Sequence, residues 1–423
     1  MARRRWCSTR STSTRWVVDA RRSSGLTGGA LHTLPLAVAL IMAGTHGYGL
    51  FLFGAIAPAL QAEYGLDFAF VGNASATLQV AYMCGALILG VAGRRLQART
   101  WLIGSTVGCA ALMLLLRFNQ RPALMLAAFA GLGALSAISW SSAVGVINAH
   151  VGSARRGLIL TVGASGGSWG MLSIGVATEY AQHLLAPQDL WTLGAFASLA
   201  GLALLAPLLR RRDDSGTQAS LAAHSAARHR WTPMHVRVAA LAIVLSGLLG
   251  ATAIPFTTYL SSYLIGEVGR EPDVASSVWQ VLGITGAFSG LVIGAIADHL
   301  DARKVIVAMF LAFAAACGFL GWAPSASTIA LAGIGYGVAL NPFWGLVATY
   351  LGHFFPADAT MRIAALGLGA FGLCSALANW SIGQWATTGG SLATMYLALG
   401  ATTLIMATLA LSAPTPFRSR STE

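Results

Sequence analysis

VRVAALAIVLSGLLGATAIPFTTYLSSYLI, residues 236–265, carries a single charged side chain, Arg237, in thirty residues. A hydrocarbon core about 30 Å thick takes roughly 20 helical residues to cross. A backbone in lipid must satisfy its own hydrogen bonds, so such a run reads as a spanning helix. Eleven further runs have the same character: 34–60, 72–93, 101–117, 122–149, 157–182, 190–209, 274–297, 303–322, 326–351, 361–385 and 389–412. They lack period-two alternation and are too long for barrel strands. The expected fold class is therefore an all-α integral membrane protein with twelve transmembrane helices. Composition agrees. Of 423 residues, 56% are apolar and only 9% charged, and mean hydropathy is +0.68, whereas a soluble domain carries about 25% charged residues.

The net charge of +12 lies in short clusters between apolar runs, not on one face of a folded domain. That excludes nucleic acid as a partner and leaves the lipid bilayer. If every run spans, 23 of the 26 basic residues fall on one side of the membrane and only Arg117, Arg121 and Arg270 on the other. The positive-inside rule then places both termini in the cytoplasm of a cell-membrane protein. The expected organisation is a basic cytoplasmic tail at 1–33, a six-helix bundle at 34–209, a cytoplasmic linker at 210–235, a second bundle at 236–412 and a short tail at 413–423. The Arg- and Ser/Thr-rich start also suits an organelle transit peptide. No CxxC pair and no Cys/His cluster occurs, so neither metal nor cofactor is expected. There is no G-x-x-x-x-G-K-[ST] to bind ATP, and no HExxH or pair of buried acids to support an intramembrane enzyme.

The two halves repeat. LQV at 78–80 matches WQV at 279–281, RRLQAR at 94–99 matches DHLDAR at 298–303, and Gly131-Leu-Gly133 matches Gly335-Tyr-Gly337. Six helices repeated in parallel is the layout of a transporter with two rocking halves. The stretch GAIADHLDARK, 294–304, resembles the loop motif G-x-x-x-D-R-x-G-R-R/K of the Major Facilitator Superfamily, and GVAGRRLQAR, 90–99, is a degraded copy with Arg94 in the acid's place. The segments GLGALSAISW (131–140) and RRGLILTVGASGGSWG (155–170) look most like its monocarboxylate-type branches. The resemblance implies two pseudo-symmetric six-helix bundles around a central cavity, and a gate in which Asp298, ending helix 8, pairs with Arg362 at the start of helix 11, with Arg303 at the basic end of the motif. With Arg94 facing Arg156, it implies asymmetric gating.

Within the spans, ionisable groups are rare and mark pathways. His46, midway along helix 1 among Gly44, Gly47 and Gly49, is a candidate for both proton coupling and substrate binding. Glu179, near the outer end of helix 5, is a second proton candidate whose depth also suits a rim acid. Pro255 and Pro342 are expected to interrupt helices 7 and 10. That singles out Tyr259, Tyr263, Asn341 and Trp344 beside the breaks, with Trp140 and Trp169 at mid-depth in helices 4 and 5, as substrate contacts. Trp279, Trp322, Trp380 and Trp385 are assigned to the interfacial belt. The absence of a buried arginine points away from a small dianion and leaves neutral, zwitterionic or aromatic-bearing solutes. The expected function is secondary active transport of a small organic solute by a monomer, coupled to protons. Export of a drug or of a secreted metabolite such as a siderophore remains open, as does a non-transporting sensor on the same scaffold.

Overall fold

The computed structural model describes residues 28–93, 96–119, 121–151, 153–181, 184–209 and 231–415. Residues 1–27 of the expected tail, most of the linker, Arg94 and the last eight residues lie outside these. Among the described residues, twelve helices are long and apolar enough to span a bilayer. They are α1 (Gly28–Met42 and Leu52–Tyr64, joined by a π-helical stretch Ala43–Phe51), α2 (Phe68–Ala92), α3 (Ala98–Phe118), α4 (Pro122–His150), α5 (Ser153–Ala181), α6 (Trp191–Leu209), α7 (Pro233–Thr258, continued by Leu260–Ser262 and a π turn Tyr263–Glu267), α8 (Pro272–His299), α9 (Ala302–Trp322), α10 (Ala326–Gly352), α11 (Ala357–Thr387) and α12 (Leu392–Leu411). Each expected run overlaps one of these helices, with the last starting three residues early, at Gly389.

Local chemistry sets the ends. Asp67 accepts the Phe70 N–H at 2.7 Å to cap α2, and Ser325 and Ser391 cap α10 and α12. The Glu267 carboxylate accepts from the Leu392 N–H at 2.6 Å, placing an anion on the positive end of α12. Gly65, Gly269 and Gly389 follow α1, α7 and α11 with positive φ, a conformation only glycine adopts without strain.

The packing repeats with the sequence. In the first bundle α1 lies on α5 and α6, α2 on α4, and α3 on α4 and α6. In the second, α7 lies on α11 and α12, α8 on α10, and α9 on α10 and α12. The arginine anchors repeat as well. Arg99 at the start of α3 donates to the Leu209 carbonyl at the end of α6 (3.2 Å), and Arg303 at the start of α9 donates to Leu411 and Ala413 at the end of α12 (3.3 and 3.0 Å). Each places a cation on a helix's negative end. Arg303 thus works within one bundle, with Asp301 3.9 Å away.

The bundles meet along α2·α11 and α5·α8. Contact is concentrated away from the face where α1 starts and α12 ends, here called the terminal face; its opposite is the far face. A methyl group on Gly72 would sit 2.5 Å from the Asn379 carbonyl, and one on Gly283 would sit 2.3 Å from the Leu172 nitrogen. These backbones touch only because both residues are glycine. The described inter-bundle hydrogen bonds lie at mid-depth or toward the far face: Ser75 with Thr258 (3.1 Å), Ser262 to Gln61 (3.0 Å), Gln280 to Glu179, and Asn341 to Ser168. Toward the terminal face the same helices separate. Nothing lies within 4 Å of where a methyl would sit on Gly90, Gly290, Gly294 or Gly369.

Two expected breaks are corrected. α10 runs through Pro342 unbroken, because one lost N–H is absorbed inside a packed helix. In α7 the irregularity falls at Tyr259 (φ −104°, ψ 1°), four residues beyond Pro255. The main distortion is the π stretch of α1, which no proline announces. Trp279 is also not a belt residue. It is buried, and its Nε1 donates to Ser261 at 3.0 Å, whereas Trp322, Trp380 and Trp385 are exposed.

Candidate functional site

The π stretch Ala43–Phe51 carries His46 near the middle of α1, the kind of local departure that recurs at functional sites. Close approach of Gly47 to Gly170 seats it against α5, and the His46 Cβ lies 3.7 Å from a methyl placed on Gly167. The imidazole's hydrogen bonds define its tautomer. Thr45 Oγ1 donates its one proton to the Ile41 carbonyl (2.8 Å), since that carbonyl can only accept. It therefore accepts from His46 Nδ1 (3.1 Å), which must carry the hydrogen. Nε2 is left as the acceptor and faces the Tyr82 hydroxyl of α2 at 3.4 Å, the two rings lying edge to face. The imidazole is thus neutral, with Nε2 accepting from the Tyr82 hydroxyl.

Asn341 of α10 stands at the same depth. Its Nδ2 donates to Ser168 Oγ on α5 (2.7 Å) and to the Gly286 carbonyl on α8 (2.9 Å). The Gly286 carbonyl accepts only, so this nitrogen is the donor and the side-chain oxygen has no partner among the described residues. Asn341 is exposed, and it joins the two bundles while presenting a carbonyl oxygen. Trp169, beside Ser168, is 41% exposed and meets Phe288 of α8 edge to face at 5.8 Å. His46 and Asn341 are thus brought to consecutive residues of α5, Gly167 and Ser168, with Tyr82 against the imidazole. No Asp, Glu, Lys or Arg takes part.

Other expected contacts lie elsewhere. Tyr259 and Tyr263 are fully buried, and their hydroxyls donate to the carbonyls of Asn379 and Leu320, both at 2.8 Å. Tyr263 packs within the second bundle, while Tyr259 sits at the seam, its ring 6.4 Å from that of Phe68 on α2. Trp140 is half-buried against an apolar cluster of α1, α3, α4 and α6. Trp344 is half-buried between Phe343 and Phe371, with both ring centroids at 5.4 Å. Glu179 accepts from Gln280 across the α5·α8 seam, near the far face and away from His46. Arg362 is exposed without a partner among the described residues, and the Asp298 side chain lies outside them. Tyr82, Ser168 and Gln280 were not singled out from sequence. Gln280 sits in the repeated WQV, which served only as a marker of the repeat.

The comparisons with known proteins agree with this architecture. No curated protein sequence matches the chain. Among solved structures, a D-xylose–proton symporter superposes with a TM-score of 0.72 at 14% identity, covering 91% of this chain and 98% of that one. The xylose transporter XylE from E. coli, in an inward-open conformation, gives 0.69 at 14%, covering 92% and 97%. The nucleoside transporter NupG gives 0.68 at 16%, covering 92% and 99%. At such identities these likenesses speak for the fold alone. The profile described as Major Facilitator Superfamily matches residues 39–366. That is well over half of the chain, which therefore belongs to the Major Facilitator Superfamily.

Proposed function

We propose that the protein is a secondary transporter of a small, neutral or zwitterionic organic solute, working by alternating access and coupled to a proton carried on His46 Nε2. The observation that carries this reading is that the His46 imidazole and the Asn341 amide lie against consecutive mid-depth residues of α5, between two bundles closed on the far face. A neutral site of this kind suits a solute that offers hydroxyl or amide groups and an aromatic or ring face. The symporter and the nucleoside transporter among the similar folds carry such solutes. With both termini in the cytoplasm, as the arginine distribution supports, the site opens inward in this conformation.

The test is flux in proteoliposomes under an imposed pH gradient. Wild type is expected to accumulate solute against its gradient, and His46→Gln to retain only downhill, pH-independent flux. A pH dependence unchanged by His46→Gln would refute proton coupling through this residue. Asp298 and Arg362 stand on α8 and α11 of the same bundle, so their pairing would brace the terminal face of that bundle. Asp298→Asn should then lower its thermal stability, and an unchanged Tm would remove the pair.

A further inference from the structure

We propose that the first bundle encloses a water-binding layer between α1, α3, α4 and α6, directly behind His46. Seven hydroxyl side chains lie within roughly 10 Å of the depth of the bundle: Thr45, Ser105, Thr106, Ser136, Ser139, Ser142 and Ser198, none more than 2% exposed. They divide its apolar core. Toward the far face, Tyr48, Cys109, Met113 and Leu132 belong to the protein's main apolar cluster. Toward the terminal face, Leu102, Ala143, Val146 and Leu205 belong to a separate one.

Four of the seven hydroxyls donate to backbone carbonyls: Thr45 to Ile41, Ser105 to Leu102, Ser136 to Thr45 and Ser198 to Gly194. The other three, Thr106, Ser139 and Ser142, have no partner among the described residues. Cys109 Sγ lies 3.8 Å from Ser136 Oγ. In this antiparallel register Thr106 falls opposite Ser139, one turn nearer the terminal face. Buried hydroxyls satisfy themselves wherever they can, and back-bonding within a helix is always available, as Ser246 and Thr403 illustrate. Three that decline it are turned toward something else.

The repeat shows what a dry version looks like. α3 and α4 recur as α9 and α10 with a spacing of 204 residues, as in Arg99 and Arg303 or Gly131 and Gly335. At that spacing Thr106, Cys109, Ser139 and Ser142 correspond to Phe310, Phe313, Phe343 and Leu346. All four are buried, and the Phe310 and Phe343 rings lie 5.8 Å apart. The second bundle fills with rings the place where the first sets hydroxyls. A polar, roomy site with two to four hydrogen-bonding groups is what a buried water requires. A cation is disfavoured because no carboxylate joins the layer. Thr45 belongs to both sites: its hydroxyl accepts from His46 Nδ1 and its carbonyl accepts from Ser136. The layer thereby gives His46 a polar contact separate from the solute cavity. This last link rests on the proton-carrying reading of His46; the layer itself does not.

The protein contains its own control, since Cys109 and Cys317 are both 0% exposed. Cys109 borders the layer, while Cys317 sits in the ring-packed second bundle. X-ray hydroxyl-radical footprinting of the full chain in nanodiscs activates water at the side chains it touches. Cys109 is expected to oxidise at least fivefold faster than Cys317. The pair Thr106→Val with Ser139→Ala should bring the two rates together and lower Tm. A wild-type Cys109 rate no higher than that of Cys317 overturns the layer, whether or not the variant folds. A rise in the variant's Tm also overturns it, because removing unpaired hydroxyls from a dry core stabilises. If the variant leaves the pH dependence of flux unchanged, the link to His46 fails while the layer stands.

Discussion

Gly283→Ala tests the closed far face at its tightest point. The added methyl would stand 2.3 Å from the Leu172 nitrogen and 2.6 Å from its Cα, and both belong to the backbone of α5 in the other bundle. Carbon contacts settle at about 3.5–4.0 Å, so the helices must part by about 1 Å. No flexible side-chain end is present to yield instead. Overpacking of this kind costs roughly 1–3 kcal/mol. Because it acts only where α5 and α8 touch, it shifts the balance toward the far-open state by about 5- to 150-fold. Replacing Gly by Ala also favours the helix by about 1 kcal/mol, but in both states alike. Gly290→Ala, on the same helix with nothing within 4 Å, is the matched control. The reporter is Ser75→Cys, a buried position bonded to Thr258 across the interface. Labelling by a membrane-impermeant thiol reagent from the far side should accelerate with Gly283→Ala and not with Gly290→Ala. Equal labelling in the two variants would refute the claim that this contact holds the far face shut.

Glu179→Ala removes the acceptor of the Gln280 bond and should raise the same labelling, with Glu179→Gln retaining most of the closure. Tyr259→Phe loses one hydrogen bond to the Asn379 carbonyl. It should cost about 1 kcal/mol of stability and leave the KM for solute unchanged; a large KM change would return Tyr259 to the site. Asn341→Ala is expected to reduce uptake at least tenfold, whereas Ser168→Ala, which leaves the Asn341 oxygen in place, should do so only mildly. Equal losses would make Asn341 a clamp between bundles and not a solute contact. Arg99→Ala and Arg303→Ala each free helix-end carbonyls in a different bundle. Each should lower stability by about 1 kcal/mol, additively in the double variant, as measured by thermal unfolding in detergent.

The spans were readable from composition because lipid leaves the backbone only one solution, and a length requirement comes with it. The π stretch of α1 and the phase of each helix were not. Apolar residues face lipid, neighbouring helices and cavity alike, so the periodicity that separates inside from outside in a soluble helix is nearly silent. Tyr259 and Tyr263 were therefore expected beside the solute; both are buried, Tyr263 within the second bundle and Tyr259 at the seam against Phe68. His46 and Asn341 stood out because a polar side chain at mid-depth needs a partner, and each bonds to another helix. Ser168 and Tyr82 did not, since a serine among glycines and a tyrosine in an apolar run look ordinary until the helices that face them are known.

The ring-packed interior of the second bundle has a mechanical consequence. Phe256 stacks on Tyr336 at 5.1 Å, and Phe313, Tyr396 and Tyr263 continue the block through α9, α12 and the end of α7. Interdigitated aromatics leave little slack to be taken up, so this lobe behaves as a stiff anvil. Bending during each turnover falls on the softer partner, whose middle is serine and threonine and whose first helix is already loosened at Ala43–Phe51.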